Sequence, residues 1–200
     1  MITPEDVLSY WIGDTATSTG QLKEKNTLWF TKSFETDEAI ARRFTDVIGA
    51  LAAGLAADWA NRGARGRLAA IIALDQFSRN IFRGHRYSFM HDPLSRHLMQ
   101  VGLDLGQDRT LSETERVFFY LPAEHSEKMA DQNLSVSLFE KLSEDARADY
   151  KEFCKTTLDY AHKHREVIER FGRFPHRNEL LQRTSTPAEE KYLAQPGAGF

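Results

Sequence analysis

SEDARADYKEFCKTTLDYAHKHREVIERFG, residues 143–172, is the stretch on which the fold turns. Ser143 followed by Glu144 and Asp145 reads as a helix start, an oxygen-bearing cap with acids in the first turn. Gly172 suits the left-handed residue that closes a helix. Between them His164, Ile168 and Phe171 continue one helical face. The stretch predicts one long helix over 144–171.

The same grammar recurs outward in both directions. Thr3-Pro4-Glu5-Asp6 offers a cap, a proline at the first helical position and acids in the first turn. Ser112-x-x-Glu115 and Thr186-x-x-Glu189 fit the capping box, the second with Pro187 behind its cap. Sustained period-two alternation and Asn-Gly or Asp-Gly hairpin turns are missing, so strands find no signal. The pattern predicts helices over 4–11, 22–31, 37–61 (broken near Gly54), 66–82, 93–105, 112–120, 122–142, 144–171 and 187–194. The expected fold is all-α, about eight or nine helices with short connections in a compact single domain over 1–200.

Composition narrows the class of function. The 200 residues carry 26 Lys and Arg against 29 Asp and Glu, a formal charge of −3, which removes the electrostatic case for a dedicated nucleic-acid binder. No apolar run reaches the roughly 18–20 residues of a membrane helix, and the start MITPEDVLSYWIGD has no basic flank or apolar signal core. The single Cys154 excludes an intramolecular disulfide and a multi-cysteine zinc site. A cytoplasmic protein without membrane attachment is expected.

Three segments carry polar chemistry. In LDQFSRNIFRG, residues 74–84, Asp75 and Arg79 stand four apart in the stripe of Leu68, Ile71, Ile72 and Phe82, so they point inward. The pair reads either as an internal clamp between helices or as an acid and a guanidinium lining a pocket. In FFYLPAEHSEKMADQ, residues 118–132, Pro122 fits a helix first turn, and Glu124, Glu127 and Asp131 then share one face. His125 falls on another face with Met129, Gln132 and Val136, where a lone histidine reads first as a hydrogen-bonded core residue. His-Glu-x-x-His spacing and paired Glu-x-x-His helices are missing, so no metal and no other cofactor is expected.

The third segment, ERFGRFPHRNELLQR, residues 169–183, packs Arg170, Arg173, Arg177 and Arg183 around a turn made by Gly172 and Pro175. A short helix is expected to start near His176, and backbone N–H groups there, flanked by guanidinium groups, suit an anion. His176 titrates in the range useful for acid–base work, whereas Asn178 only donates and accepts hydrogen bonds. The competing reading is an electrostatic corner in which the arginines cap helix ends and pair with acids. Elsewhere, Trp11, Trp29 and Phe30 read as core anchors, and His164 and Cys154 as packed residues. Phosphate loops, Gly-x-Ser-x-Gly elbows and dinucleotide fingerprints are missing.

The blocks VLSYWIGD, LWF at 28–30, LDQFSRNIFRG, FFYLPAEHSE and HREVIERFGRFPHRNELLQRTSTPAEEKYL together resemble the bacterial domain of unknown function 924 family along essentially the whole chain. The resemblance implies a tetratricopeptide-like α-α superhelix and no established activity. Its motifs fall on Asp75, Gln76, Arg79, Asn80, Arg83, His125, Ser126, Glu127, His164, Arg173, His176, Arg177, Asn178 and Arg183. This chain departs at Ser78, where the family usually has proline and a helix-end constraint should relax, and at Gln182, where it usually has glycine. The second departure bears on whether the turn before Arg183 keeps its geometry.

Two classes of function follow. In the first, the segments converge on a pocket for a small anionic ligand. Arg79, Arg83, Arg177 and Arg183 grip it, with Asn80, Arg173 and Asn178 beside them. Asp75 and Glu127 orient the site, and His125 or His176 transfers a proton in a hydrolytic or group-transfer reaction. In the second, the chain is a non-enzymatic tetratricopeptide-like scaffold whose arginines hold an acidic peptide.

Overall fold

A computed structural model describes residues 2–199, and among them every regular element is helical. The helices are α1 (Pro4–Trp11), α2 (Leu22–Phe30), α3 (Phe34–Ala50), α4 (Ala56–Ala60), α5 (Ala64–Ile72), α6 (Ser78–Ile81), α7 (Asp92–Asp104), α8 (Glu113–Glu124), α9 (Met129–Asp145), α10 (Lys151–Phe171) and α11 (Pro187–Leu193). Capping boxes at Thr3, Ser112 and Thr186 open α1, α8 and α11 where the sequence placed them. Gly172 ends α10 in the left-handed conformation. None of the helices is long and apolar enough to cross a membrane among the described residues.

Several boundaries differ from the expectation. The long helix begins at Lys151, because Ser143, Glu144 and Asp145 belong to the exposed end of α9. The break falls at Ala146 and Arg147, both extended at ψ 140° and 151°. Glu113 holds it by accepting from the Arg147 backbone N–H at 3.0 Å and from its guanidinium at 2.7–3.1 Å. Such a tertiary bond leaves no local trace in a polar segment.

Pro122 lies inside α8 rather than opening the next helix. It sits in the last turn, where only one hydrogen bond is forfeited, and the chain leaves the helix at His125 instead. The Gln132 side chain secures that exit, donating to the carbonyls of Glu124 and Ser126 at 2.6 Å each. Glu124, Glu127 and Asp131 therefore share no helix face: one ends α8, one lies in the connection, and one opens α9. Asp37 lies within α3, which starts earlier than expected at the Ser33 cap. The short helix expected near His176 is a single 3₁₀ turn over Pro175–Arg177. Phe30, read as a core anchor, is 54% exposed, whereas Trp11 and Trp29 are buried.

The core forms around α5. Residues from Gly66 to Ser78 are buried all round, as expected of a helix enclosed by others. Phe77 meets Trp11 at 5.3 Å, Phe44 at 4.5 Å and Tyr10 at 6.0 Å between ring centroids. Between α5 and α6 the backbone loosens into one π-helical turn over Ala73–Phe77, with Asp75 at its middle. Ser78 follows inside this continuous rod, so it is not at the helix end the sequence suggested.

Helices α8, α9 and α10 pack as successive antiparallel neighbours. Tyr120 meets Phe139 at 5.8 Å, and Arg165 of α10 reaches back to Asn133 of α9 at 2.7 Å. It follows that α8 and α10 run parallel. Their N-terminal ends are tied through Glu113 and Arg147, and their C-terminal ends through Glu124 and His164.

Gln182 has φ +55°, so the turn before Arg183 keeps a left-handed residue without the glycine. A non-glycine residue there costs about 1–2 kcal/mol relative to the right-handed basin. Gln182→Gly should therefore raise stability by about 0.5–1 kcal/mol after its larger unfolded-state entropy is counted. Urea unfolding of the two proteins measures this; an unchanged or lower midpoint would mean the turn is not strained.

Candidate functional site

The π turn places the Asp75 carboxylate in the interior, 1% exposed. Gln76 Nε2 donates to it at 2.5 Å and Arg79 Nη1 lies 3.2 Å away. His125 Nδ1 stands 2.9 and 3.0 Å from its two oxygens. The looser turn also leaves the Asp75 carbonyl open to Arg79 Nη1, which donates to it at 2.6 Å. The same guanidinium grips Asp92 on α7 with two bonds of 3.0 and 3.1 Å. Burial alone would raise the Asp75 carboxyl, but Arg79, His125 and Gln76 outweigh it and hold the group well below the usual carboxylate range.

His125 is fixed on two sides. Its backbone carbonyl accepts from Arg177 Nη2 at 3.0 Å while its ring faces Asp75. Burial and the nearby Arg79 lower its pKa below the ordinary histidine value, against the pull of Asp75. An ionised carboxylate only accepts, so Nδ1 carries the ring proton and Nε2 keeps the lone pair. The Arg177 guanidinium lies between the rings of Phe89 and Phe174, at 4.5 and 4.6 Å. Burial, and then repulsion from Arg79, pulls its pKa down to about 10.

Glu124, next in the chain to His125, has a contrasting environment. It is 3% exposed, and its Oε1 lies 3.0 Å from His164 Nδ1. Burial, with repulsion from Asp75, pushes its pKa up to about 8. His164 is driven down to about 3, chiefly by burial and then by His125. The Tyr160 carbonyl sits 2.9 Å from the same Nδ1, so that nitrogen carries the ring proton and donates to the carbonyl.

These groups border a cavity of about 570 Å³. Of the eleven residues given a catalytic or ligand-binding role from sequence, six line it: Arg79, Asn80, Arg83, His125, His176 and Arg177. Burial, then Arg177, lowers His176 to about 4, so it is neutral near pH 7. Arg83 and Asn80 also hold Asp37 of α3, Arg83 at 2.5 and 2.8 Å and Asn80 at 2.8 Å. Asp75 lies behind His125 rather than on the wall.

The other four residues sit elsewhere. Glu127 accepts two bonds from Arg183, at 2.7 and 3.0 Å, and one from the Phe174 backbone N–H at 2.8 Å. Asn178 accepts from Arg183 Nε at 3.0 Å, and Arg173 is forked onto Glu189 at 2.6 and 2.8 Å. The Glu127 contacts strap the segment after α10 to the body of the protein, and the other two brace that segment internally. The structure adds Glu124, His164 and Lys32 to the wall. Sequence periodicity had put Glu124 with Glu127, and only its place beside His125 hinted otherwise. A smaller hollow of about 360 Å³ near Glu5, Asp14, Glu24, Lys25 and Arg65 holds no imidazole. Among the described residues, no group of three or more His, Cys, Asp or Glu is arranged to hold a metal ion. Cys154 is buried, and burial raises its thiol pKa to about 11.

Fold and site together define an all-helical protein in which a buried ion-pair junction backs a cavity walled by guanidinium groups and neutral imidazoles. The chain belongs to the bacterial protein family of unknown function DUF924, whose model matches residues 7–197. It is similar to a solved protein of unknown function from Agrobacterium tumefaciens, 36% identical over 96% of each chain with a TM-score of 0.80. No curated protein matches it.

Two predictions follow from this network. Arg79→Ala strands two carboxylates and should cost about 3–5 kcal/mol in urea unfolding. Asp75→Leu/Arg79→Met should recover only part, because Asp92 and His125 each lose a partner as well; full recovery would show an isolated clamp. The second concerns pH. The folded pKa of Glu124 lies above its ordinary value of 4.5, so its stabilising protonation is complete below that value and is lost as pH rises towards 8. His125, His164 and His176 shift the other way, and the stability gained as their unfolded forms lose protons around pH 6.5 is common to the native protein and Glu124→Gln. Between pH 6.5 and 8 the native protein should thus lose about 2 kcal/mol that Glu124→Gln does not lose. Parallel pH–stability curves for the two proteins would refute the buried, protonated carboxyl.

Proposed function

We propose that the cavity binds a small anionic ligand and performs acid–base chemistry on it, as a hydrolase or group-transfer enzyme. One observation carries the reading: the wall presents Lys32, Arg79, Arg83 and Arg177, whereas Asp37, Asp75 and Asp92 stand behind them. Among the described residues the only acid on the wall is Glu124, which is largely protonated near pH 7. A ligand entering the cavity therefore meets cations, neutral imidazoles and one carboxylic acid.

The two carboxyl–imidazole pairs differ in protonation, and such divergence assigns acid and base roles. His125, oriented by Asp75, offers the Nε2 lone pair as general base. Glu124 offers a proton as general acid. In hydrolysis of an ester, His125 takes a proton from water as its oxygen bonds to the carbonyl carbon. Glu124 protonates the departing alkoxide as the carbon–oxygen bond breaks. Proton exchange with solvent water then restores both groups.

One domain over residues 1–200 is part of this proposal, supported by a buried core cluster continuous from Val7 to Ala161. So is the tetratricopeptide-like superhelix, which the antiparallel succession of α8, α9 and α10 favours. The peptide-scaffold reading has less support. Arg173 and Arg183, which lie outside the cavity, are already forked onto Glu189 and Glu127, which leaves those planar donors committed within the chain.

The test is turnover of a panel of small anionic esters by the native chain and by His125→Gln. Loss of general-base catalysis should lower kcat/KM by about 10²–10⁴-fold, with the helical circular dichroism unchanged. Equal turnover by the two proteins would refute the assignment of His125.

A further inference from the structure

The cavity is graded from one end to the other. Since α8 and α10 run parallel beside it, their cavity-lining series can be compared position by position. Val117, Leu121 and Glu124 follow one another along α8. Phe153, Thr157, Tyr160 and His164 do so along α10. Both series begin apolar and finish on an ionisable group. The end of α2 repeats the order: the Trp29 ring meets Phe153 at 6.0 Å, while two residues beyond Phe30 the charge of Lys32 bears on His176. From Val117 to Glu124 the helical rise gives this gradient a length of about 10 Å.

The apolar end opens through Phe30, which is 54% exposed and lies nearly parallel to Phe118, 13° between ring planes. A large aromatic side chain left exposed at a cavity rim is apolar surface available to a ligand. At the ionisable end the charges nearly cancel. Arg79, Arg83 and Arg177 are matched by Asp75, Asp37 and Asp92, whereas Lys32 has no carboxylate within ion-pair distance among the described residues. Among the described residues one positive charge is left over, which suits a monoanion better than a phosphate dianion.

We infer that the ligand is an amphiphilic monocarboxylate, its carboxylate near Lys32 and Arg177 and its apolar body extending about 10 Å along Leu121, Val117, Phe153 and Trp29. This rests on the anionic-ligand reading above and adds the apolar body and the single charge.

Calorimetric titration of the full chain with butyrate, hexanoate, octanoate, hexanol and inorganic phosphate tests it. The carboxylates should tighten with length by up to about fourfold per methylene, with hexanol and phosphate weaker than hexanoate. Phe153→Ser should flatten the length dependence. Lys32→Ala should weaken every carboxylate by a common factor of about three to five. Should the Phe153 variant fail to fold, the length series on the native chain decides alone. Carboxylates that bind without length dependence, or phosphate binding more tightly than octanoate, would overturn the amphiphile and leave an anionic ligand standing. Hexanol binding as well as hexanoate, or no binding by any probe, would overturn both readings.

Discussion

The buried carboxylate of Asp75 is the constraint from which the rest of this structure follows. An ionised group that deep is tolerable only when its lone pairs are filled and its charge is opposed. Gln76, Arg79 and His125 do both. Arg79 then carries the requirement outward to Asp92, and Asp92 to Arg177, whose contact with the His125 carbonyl closes a ring through four separate parts of the chain. The π turn with α6, the helices α7 and α8, and the turn after α10 are thereby fixed in relation to one acid. The same network that ties these elements together also holds Arg79 on the cavity wall.

The electrostatic consequence is a division between neighbouring residues. Asp75 is surrounded by donors and stays ionised, whereas Glu124 is buried beside that negative charge and keeps its proton to about pH 8. His125 and His164 are both held neutral by burial, but they face carboxyl groups in opposite protonation states. The π turn contributes by loosening the backbone where Asp75 must meet three donors at once. Local irregularity of this kind is characteristic of functional helices.

Much of the fold was legible because it is written locally. Thr3, Ser112 and Thr186 announce their helices through contacts within three residues, and Gly172 ends α10 by its own conformational freedom. The inward direction of Asp75 and Arg79 was legible from helical period. What escaped was set by distant partners. Glu113 breaks the chain at Arg147, and Gln132 caps the exit from α8, so neither boundary has a signal in its own segment. Arg173, Asn178 and Arg183 looked like site residues because arginines and asparagines have the same composition in a strap as in a pocket. Only the positions of Glu127 and Glu189 distinguish the two. His164 sat on the packed face as read, but its pairing with Glu124 spans forty residues of sequence.

The central claim is that Asp75 dictates the proton on His125. Nitrogen-15 NMR of the imidazole rings, with the His125 signals assigned by comparison with a His125→Gln sample, measures that proton directly. At pH 7 the account predicts a neutral His125 ring with the proton on Nδ1 and an unprotonated Nε2. A protonated Nε2 at that pH, whether as the other neutral tautomer or as imidazolium, would contradict it.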